Sequence, residues 1–149
     1  MVELVKDVLG HFSEGNPEIL LKEYLENLEL QADPKQLRIV LENLLNNARR
    51  FSDDASNPIE VSIVLKEDQA ILSVRDYGVG IANEEQNMIF EPFYQIDKSR
   101  SRDLNHYGLG LNLCKTIIET HDGNIRVESE EGSGSTFFLE IPMNIQSKE

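Results

Sequence analysis

Between residues 33 and 52 the apolar side chains recur with a helical period. Leu37, Val40, Leu41, Leu44, Leu45, Ala48 and Phe51 make one stripe sustained over about four turns at 3.6 residues per turn. Asp33 is a good N-cap and Pro34 suits the first helical position. A helix of this kind asks for a second layer to cover its apolar face.

The flanking chain supplies candidates for that layer. Residues 59–66 and 70–75 are rich in β-branched residues, with Val61/Ile63/Leu65 and Ile71/Ser73 alternating on either side of Glu67-Asp68-Gln69, and predict a hairpin. Residues 125–129 and 135–141 predict a second hairpin. Residues 109–121 predict a helix with Leu111, Cys114, Ile117, Ile118 and His121 on one face and Gly123 where a C-cap is wanted. Leu4, Val5, Val8, Leu9 and Phe12 give residues 3–14 a helical spacing, which Gly15-Asn16-Pro17 ends. Ile19-Leu20-Leu21 and Leu28-Glu29-Leu30 read as short strands, and residues 83–91 as a short helix stopping at Pro92. A long polar stretch, Gln95 to Tyr107, has the length of a functional or mobile loop. Strands and helices do not alternate strictly. The expected class is therefore α+β, a two-layer α/β sandwich over residues 1–149.

Composition narrows the function. Fourteen Lys and Arg stand against 27 Asp and Glu, a net charge of −13. That balance argues against a nucleic-acid or anionic-membrane surface as partner, but not against a small anionic ligand that meets only its own pocket. One Cys and three scattered His make neither a disulfide nor a structural zinc site. No apolar run approaches the ~18 residues of a membrane span, and Met1 to Lys6 lacks a secretory signal pattern.

Four features carry candidate chemistry. Asn43, Asn47 and Arg50 share a second face of the first strong helix, with Asn46 beside them. Asn is a mediocre helix former, so the cluster is either a solvated flank or a set of carbonyl oxygens for a hard cation such as magnesium. Asp76-Tyr77-Gly78-Val79-Gly80 ends the first hairpin, as an ordinary turn or as a close-approach loop with a carboxylate to read an exocyclic amine. Gly108-Leu109-Gly110-Leu111 opens the second strong helix, as a flexible entry or as an anion site. Lys98, Arg100 and Arg102 fall within five positions of the long loop, as solvated charge or as a phosphate clamp. Neither Gly pair completes a dinucleotide fingerprint, and no phosphate-loop motif occurs.

Taken in order, these segments resemble the ATP-binding catalytic domain of bacterial-type sensor histidine kinases, within the wider group that includes gyrase. Leu41 to Ala48 resembles the family's Asn-rich box, and Asp76-x-Gly78-x-Gly80-Ile81 its first Gly box. Residues 89–94, Ile-Phe-Glu-Pro-Phe-Tyr, resemble its Phe box, Gly108 to Leu111 its second Gly box, and Gly132-Ser133-Gly134-Ser135-Thr136 its final turn. The resemblance covers nearly the whole chain. It implies a Bergerat-type fold, with a mixed, mostly antiparallel sheet on about three helices, residues 1–16 as a lead-in helix and residues 95–107 as an ATP lid.

By the resemblance, Asn47 ligates magnesium with Asn43 beside it. Arg50 contacts phosphate and Phe51 packs on adenine. Asp76 reads the adenine amine in a pocket shaped by Gly78, Gly80 and Ile81. Gly108, Leu109, Gly110 and Leu111 underlie the phosphates, and Thr136 places a hydroxyl near the base. The implied activity is transfer of the γ-phosphate of Mg-ATP to a His on a separate helical dimerisation domain, and from there to an Asp of a response regulator. Two departures stand out. Asn105-His106-Tyr107 precede Gly108 where the family has small residues, and Gln95 occupies a position that is often Arg, leaving phosphate contact to Lys98, Arg100 or Arg102. His11, His106 and His121 do not match the phosphoacceptor pattern, so that domain is expected to be absent and the fragment monomeric, without nucleic-acid or direct membrane contact. A cytoplasmic location is implied, with a parent protein that is often membrane-anchored. The alternatives are a gyrase-like hydrolase, whose general-base Glu would fall at Asn43, a regulatory ATP-binding module, and an anti-sigma-type serine kinase.

Overall fold

The computed structural model describes residues 1–15, 17–26, 28, 30–52, 57–94 and 110–143. In chain order the elements are α1 (Val2–His11), β1 (Ile19–Glu23), α2 (Pro34–Phe51), β2 (Ile59–Lys66), β3 (Gln69–Asp76), α3 (Asn83–Gln86), α4 (Gly110–Thr120), β4 (Asn124–Glu130) and β5 (Gly134–Pro142). Asp33 caps α2 as its sequence requires, its carboxylate accepting the Lys35 N–H at 2.9 Å, and Pro34 opens the helix.

The five strands form one sheet in the order β1-β2-β3-β5-β4. β1 and β2 pair in parallel and every other neighbouring pair is antiparallel. The parallel pair needs a crossover, and α2 is that crossover, lying between β1 and β2 in the chain. One sheet face is buried. Ile59, Val61 and Ile63 of β2, Ala70, Leu72 and Val74 of β3, and Phe137, Leu139 and Ile141 of β5 join the stripe Leu37, Val40, Leu41, Leu44, Leu45 and Ala48 of α2 in a single core. Val2, Val5 and Val8 of α1 and Cys114, Ile117 and Ile118 of α4 complete it. This is the expected two-layer arrangement with a mixed, mostly antiparallel sheet.

Four local expectations are corrected. Leu28 and Leu30 lie outside any strand. Leu28 is instead a core residue whose N–H donates to Leu25 O at 3.4 Å in a turn. In β3 the inward set is the even-numbered one, so Ile71 and Ser73 face away from the core, and Leu65 of β2 is exposed. Only Asn83–Gln86 of the 83–91 segment is helical, the chain then continuing in turns toward Pro92. At the end of α4 the left-handed residue is Asp122 (φ 59°), not Gly123. Asp122 N–H donates to Glu119 O and Gly123 N–H to Ile118 O, the paired bonds of a Schellman cap with Gly one position later than expected. Gly123 is small because a Cβ there would lie 2.5 Å from Glu140 O.

His121 joins the ends of α2 and α4. Its Nδ1 lies 2.9 Å from Ile117 O, and its Nε2 accepts the Asp33 N–H at 3.2 Å. A carbonyl can only accept, so the ring is the Nδ1–H tautomer. The packing role expected of His121 is thus joined by a capping role toward α2. We expect His121→Leu to lower stability by about 1–2 kcal/mol through the orphaned Asp33 N–H, read as a lower urea midpoint at unchanged slope. An unchanged midpoint would show that the bridge contributes nothing.

Candidate functional site

The inward parity of β3, Ala70, Leu72, Val74, continues to Asp76. The strand therefore ends by aiming a carboxylate at the core side of the sheet. Asp76 is 3% exposed. Its Oδ1 accepts the Gly78 N–H at 2.9 Å, and the backbone N–H of Ser135 also donates to the carboxylate. Burial pushes its pKa up to about 6, with the two backbone donors working the other way.

The loop after Asp76 is held by close backbone packing. A Cβ on Gly78 would lie 1.9 Å from Phe51 O, and the Val79 N–H donates to that same carbonyl at 3.1 Å. The loop is thereby docked on the last turn of α2. Gly80 has φ +75° and Gly134 φ +90°. A Cβ on Gly134 would meet Asp76 O at 2.1 Å, so β5 can approach the end of β3 only without a side chain there.

A cleft opens above Asp76, lined by Asn47, Phe51, Asp76, Ile81, Leu111, Ser135 and Phe137. Five of these are residues singled out in the sequence. Gly78, Gly80 and Gly110 shape its backbone rather than its lining. Arg50 lies over the Phe51 ring, its Cζ 5.3 Å from the centroid. Lys98, Arg100, Arg102, Gly108 and Leu109 lie outside the described residues, as does the expected lid.

Two expected site residues are placed elsewhere. Asn43 does not line the cleft. Its Nδ2 donates to Ile39 O at 2.8 Å, and its Oδ1 sits 2.7 Å from where a Gly110 Cβ would be. The start of α4 comes close to that turn of α2. Asn47, one turn further along, is left facing the cleft. Thr136 is also off the cleft. It pairs with Arg75 and Glu128 on the open face of the sheet, because strand parity turns Ser135 and Phe137 inward instead. Ser135 is thus the hydroxyl beside Asp76.

Further residues support the cleft without having been foreseen. Phe90 packs edge-on against Phe137 at 6.2 Å, and Asn112 Nδ2 donates to Phe90 O at 3.0 Å, tying the Phe box to both β5 and α4. Gln86 Nε2 donates to Ile81 O at 2.9 Å and Ser129 O at 3.0 Å, fixing α3 to β4. Ser129 Oγ accepts the Ile81 N–H at 2.7 Å. The two-residue period of β5 was the available signal for Ser135 and Phe137. Gln86 and Ser129 act through tertiary contacts that no local pattern announces.

The Asp76 carboxyl makes stability depend on pH. Its pKa is about 6 when folded against an ordinary value of 3.8, so between those values the folded state binds more protons. Stability then falls as pH rises through that window, by up to about 3 kcal/mol. Asp76→Asn removes the ionisation. The variant's stability relative to the wild type should improve by about 1–3 kcal/mol between pH 4 and pH 7 in urea titrations. A difference constant with pH would contradict the buried carboxyl.

Comparison with known proteins agrees with this geometry. The family of histidine kinase-, DNA gyrase B- and HSP90-like ATPases matches residues 32–145. The circadian input-output histidine kinase CikA of Synechococcus elongatus is 43% identical over 112 residues, covering 75% of this chain but 15% of CikA. The catalytic domain of the histidine kinase ThkA superposes with a TM-score of 0.80 at 30% identity, covering 96% of this chain and 92% of that one. Full-length ShkA in complex with AMPPNP superposes with a TM-score of 0.79 at 25% identity, covering 95% of this chain and 29% of ShkA. The chain belongs to the histidine kinase-, DNA gyrase B- and HSP90-like ATPase family, as a catalytic domain of the histidine kinase type.

Proposed function

We propose that the cleft binds ATP with magnesium and that the domain transfers the γ-phosphate to a histidine on a separate helical dimerisation domain. The observation that carries this reading is the buried Asp76 carboxylate at the floor of a cleft bounded by α2 and the first turn of α4. A carboxylate so placed accepts a hydrogen bond from the exocyclic amine of adenine, with Ile81, Leu111, Phe51 and Phe137 as apolar walls for the ring. The triphosphate then extends along α2 past Asn47 toward the segment before Gly110. The ShkA complex with AMPPNP, an ATP analogue, supports the choice of nucleotide.

Asn47 offers an amide oxygen in the cleft, a fitting hard ligand for magnesium. Asn43 donates its Nδ2 to Ile39 O, and its Oδ1 is the second amide oxygen proposed beside Asn47. When bound, magnesium would neutralise phosphate charge. The chain's own part is positioning and electrostatic stabilisation, which is most of phosphoryl-transfer catalysis. Arg50, over the Phe51 ring, and Lys98, Arg100 and Arg102 are the cations proposed to meet the phosphates. A response regulator would receive the phosphoryl group from the whole kinase. Among the described residues no helix is long and apolar enough to cross a membrane. The domain is proposed to work in the cytoplasm, as a monomer when isolated.

Incubation with labelled ATP and a panel of histidine-bearing helical domains tests the reading. Acid-labile, base-stable label on one of them is expected. Acid-stable label would point to a serine kinase, and no transfer despite ATP binding would point to a regulatory module. Asp76→Asn should raise the Kd for ATP roughly 10- to 150-fold while the protein stays folded; equal affinity by calorimetry would remove the base-reading role. Asn47→Asp should change the magnesium dependence of binding, and superimposable magnesium titrations would refute it. Residue for residue, neutralising Arg50, Lys98, Arg100 and Arg102 should weaken binding more than neutralising Lys22, Lys66 and Lys148. Equal losses would place the phosphates elsewhere.

A further inference from the structure

Ser129 does not line the cleft, yet its hydroxyl touches three groups around it. The Ile81 N–H donates to Ser129 Oγ at 2.7 Å. The Gly134 carbonyl lies 2.9 Å away and the Ser135 Oγ 2.8 Å away. An N–H can only donate and a carbonyl can only accept, while a hydroxyl has one proton and two lone pairs. One assignment makes all three contacts hydrogen bonds. Ser129 accepts from Ile81, gives its proton to Gly134, and accepts from Ser135. The Ser135 proton is then spent on Ser129, and the Ser135 oxygen keeps lone pairs alone for the cleft it shares with Asp76. Asp76, when ionised, is likewise an acceptor only.

We propose that Ser129 is a specificity-determining positioning residue. By taking up the Ser135 proton it makes the base-reading end of the cleft accept and never donate, so that the site selects a purine bearing an exocyclic amine over one bearing a carbonyl at the same carbon. An amine has two protons to offer, one to the Asp76 carboxylate and one to Ser135, directly or through a water. A carbonyl in that place meets only lone pairs, and an unpaired buried acceptor is rejected strongly. This inference rests on the proposed ATP reading and adds to it the origin of base selectivity.

ATP and ITP differ at that carbon and at the neighbouring ring nitrogen, a lone pair in adenine and an N–H in hypoxanthine, so the change in their ratio between variants, rather than the wild-type ratio alone, reports the device. Calorimetry with each nucleotide and magnesium on the 149-residue chain should show the wild type preferring ATP by about 100-fold or more. Ser129→Ala frees the Ser135 hydroxyl to donate into the cleft. The preference should then fall at least about fivefold, chiefly through tighter ITP binding, while Ser129→Thr keeps it. On a Ser135→Ala background, Ser129→Ala should leave the ratio unchanged, because the two act through one proton. Should Ser129→Ala fail to fold, Ser129→Cys, which keeps the volume but is a poor acceptor, carries the same expectation. Equal weakening of ATP and ITP would show a purely structural Ser129 and overturn the proposal while leaving the ATP reading intact. A fallen ratio that persists without Ser135 overturns it too. A wild-type chain that binds no ATP would overturn both.

Discussion

A carboxylate at the inward end of a buried strand organises this site. Asp76 sits at 3% exposure, and a charge there is tolerable only if donors are brought to it. The nearest available are backbone N–H groups, and reaching them dictates the local chain. The loop must turn back at Gly78, which forces it against Phe51 O, and β5 must approach through Gly134, which forces it against Asp76 O. The end of α2, the Asp76–Gly80 loop and the start of β5 are therefore fitted to one another through backbone atoms. That close fit allows a cleft with an ionisable floor inside an otherwise apolar core.

Much of this was legible in the sequence, where periodicity and chain chemistry agree. The stripe from Leu37 to Phe51 and the cap at Asp33 placed α2, and the two hairpins placed four of the five strands. The family resemblance then brought out Asn47, Phe51, Asp76, Ile81 and Leu111, which meet at one cleft. Where the structure differs, strand parity and tertiary contacts decide. Thr136 was favoured through the resemblance, whereas strand parity turns Ser135 inward. Asn43 shares a helical face with Asn47, but that face is partly covered by the arrival of Gly110, which is invisible to a helical wheel. Leu28 and Leu30 look strand-like because they are apolar; Leu28 is buried from a turn. Ser129 and Gln86 also reach partners more than 40 residues away, in the Ser129–Ile81 and Gln86–Ser129 bonds.

The net charge of −13 takes on a narrower meaning beside this geometry. It bears on extended anionic partners, whose field is felt over the whole surface. A nucleotide in a cleft meets a local environment instead. The lining is largely apolar, its floor carries a carboxylate, and Arg50 lies over Phe51. On the proposed reading the phosphates lie away from Asp76, toward Asn47 and the basic residues before Gly110, so the acid and the anion are separated along the ligand rather than opposed.

That separation makes the ionisation of Asp76 the most direct readout of the whole account. The Asp76 carboxyl carbon can be followed by NMR against pH, with and without saturating ATP. Without nucleotide the midpoint should lie near 6. If the carboxylate accepts from the base, binding favours its charged form, and saturation should move the midpoint well below 6. A midpoint unmoved or raised by ATP would contradict the account, since it would mean that the carboxylate at the floor of the cleft does not read the ligand.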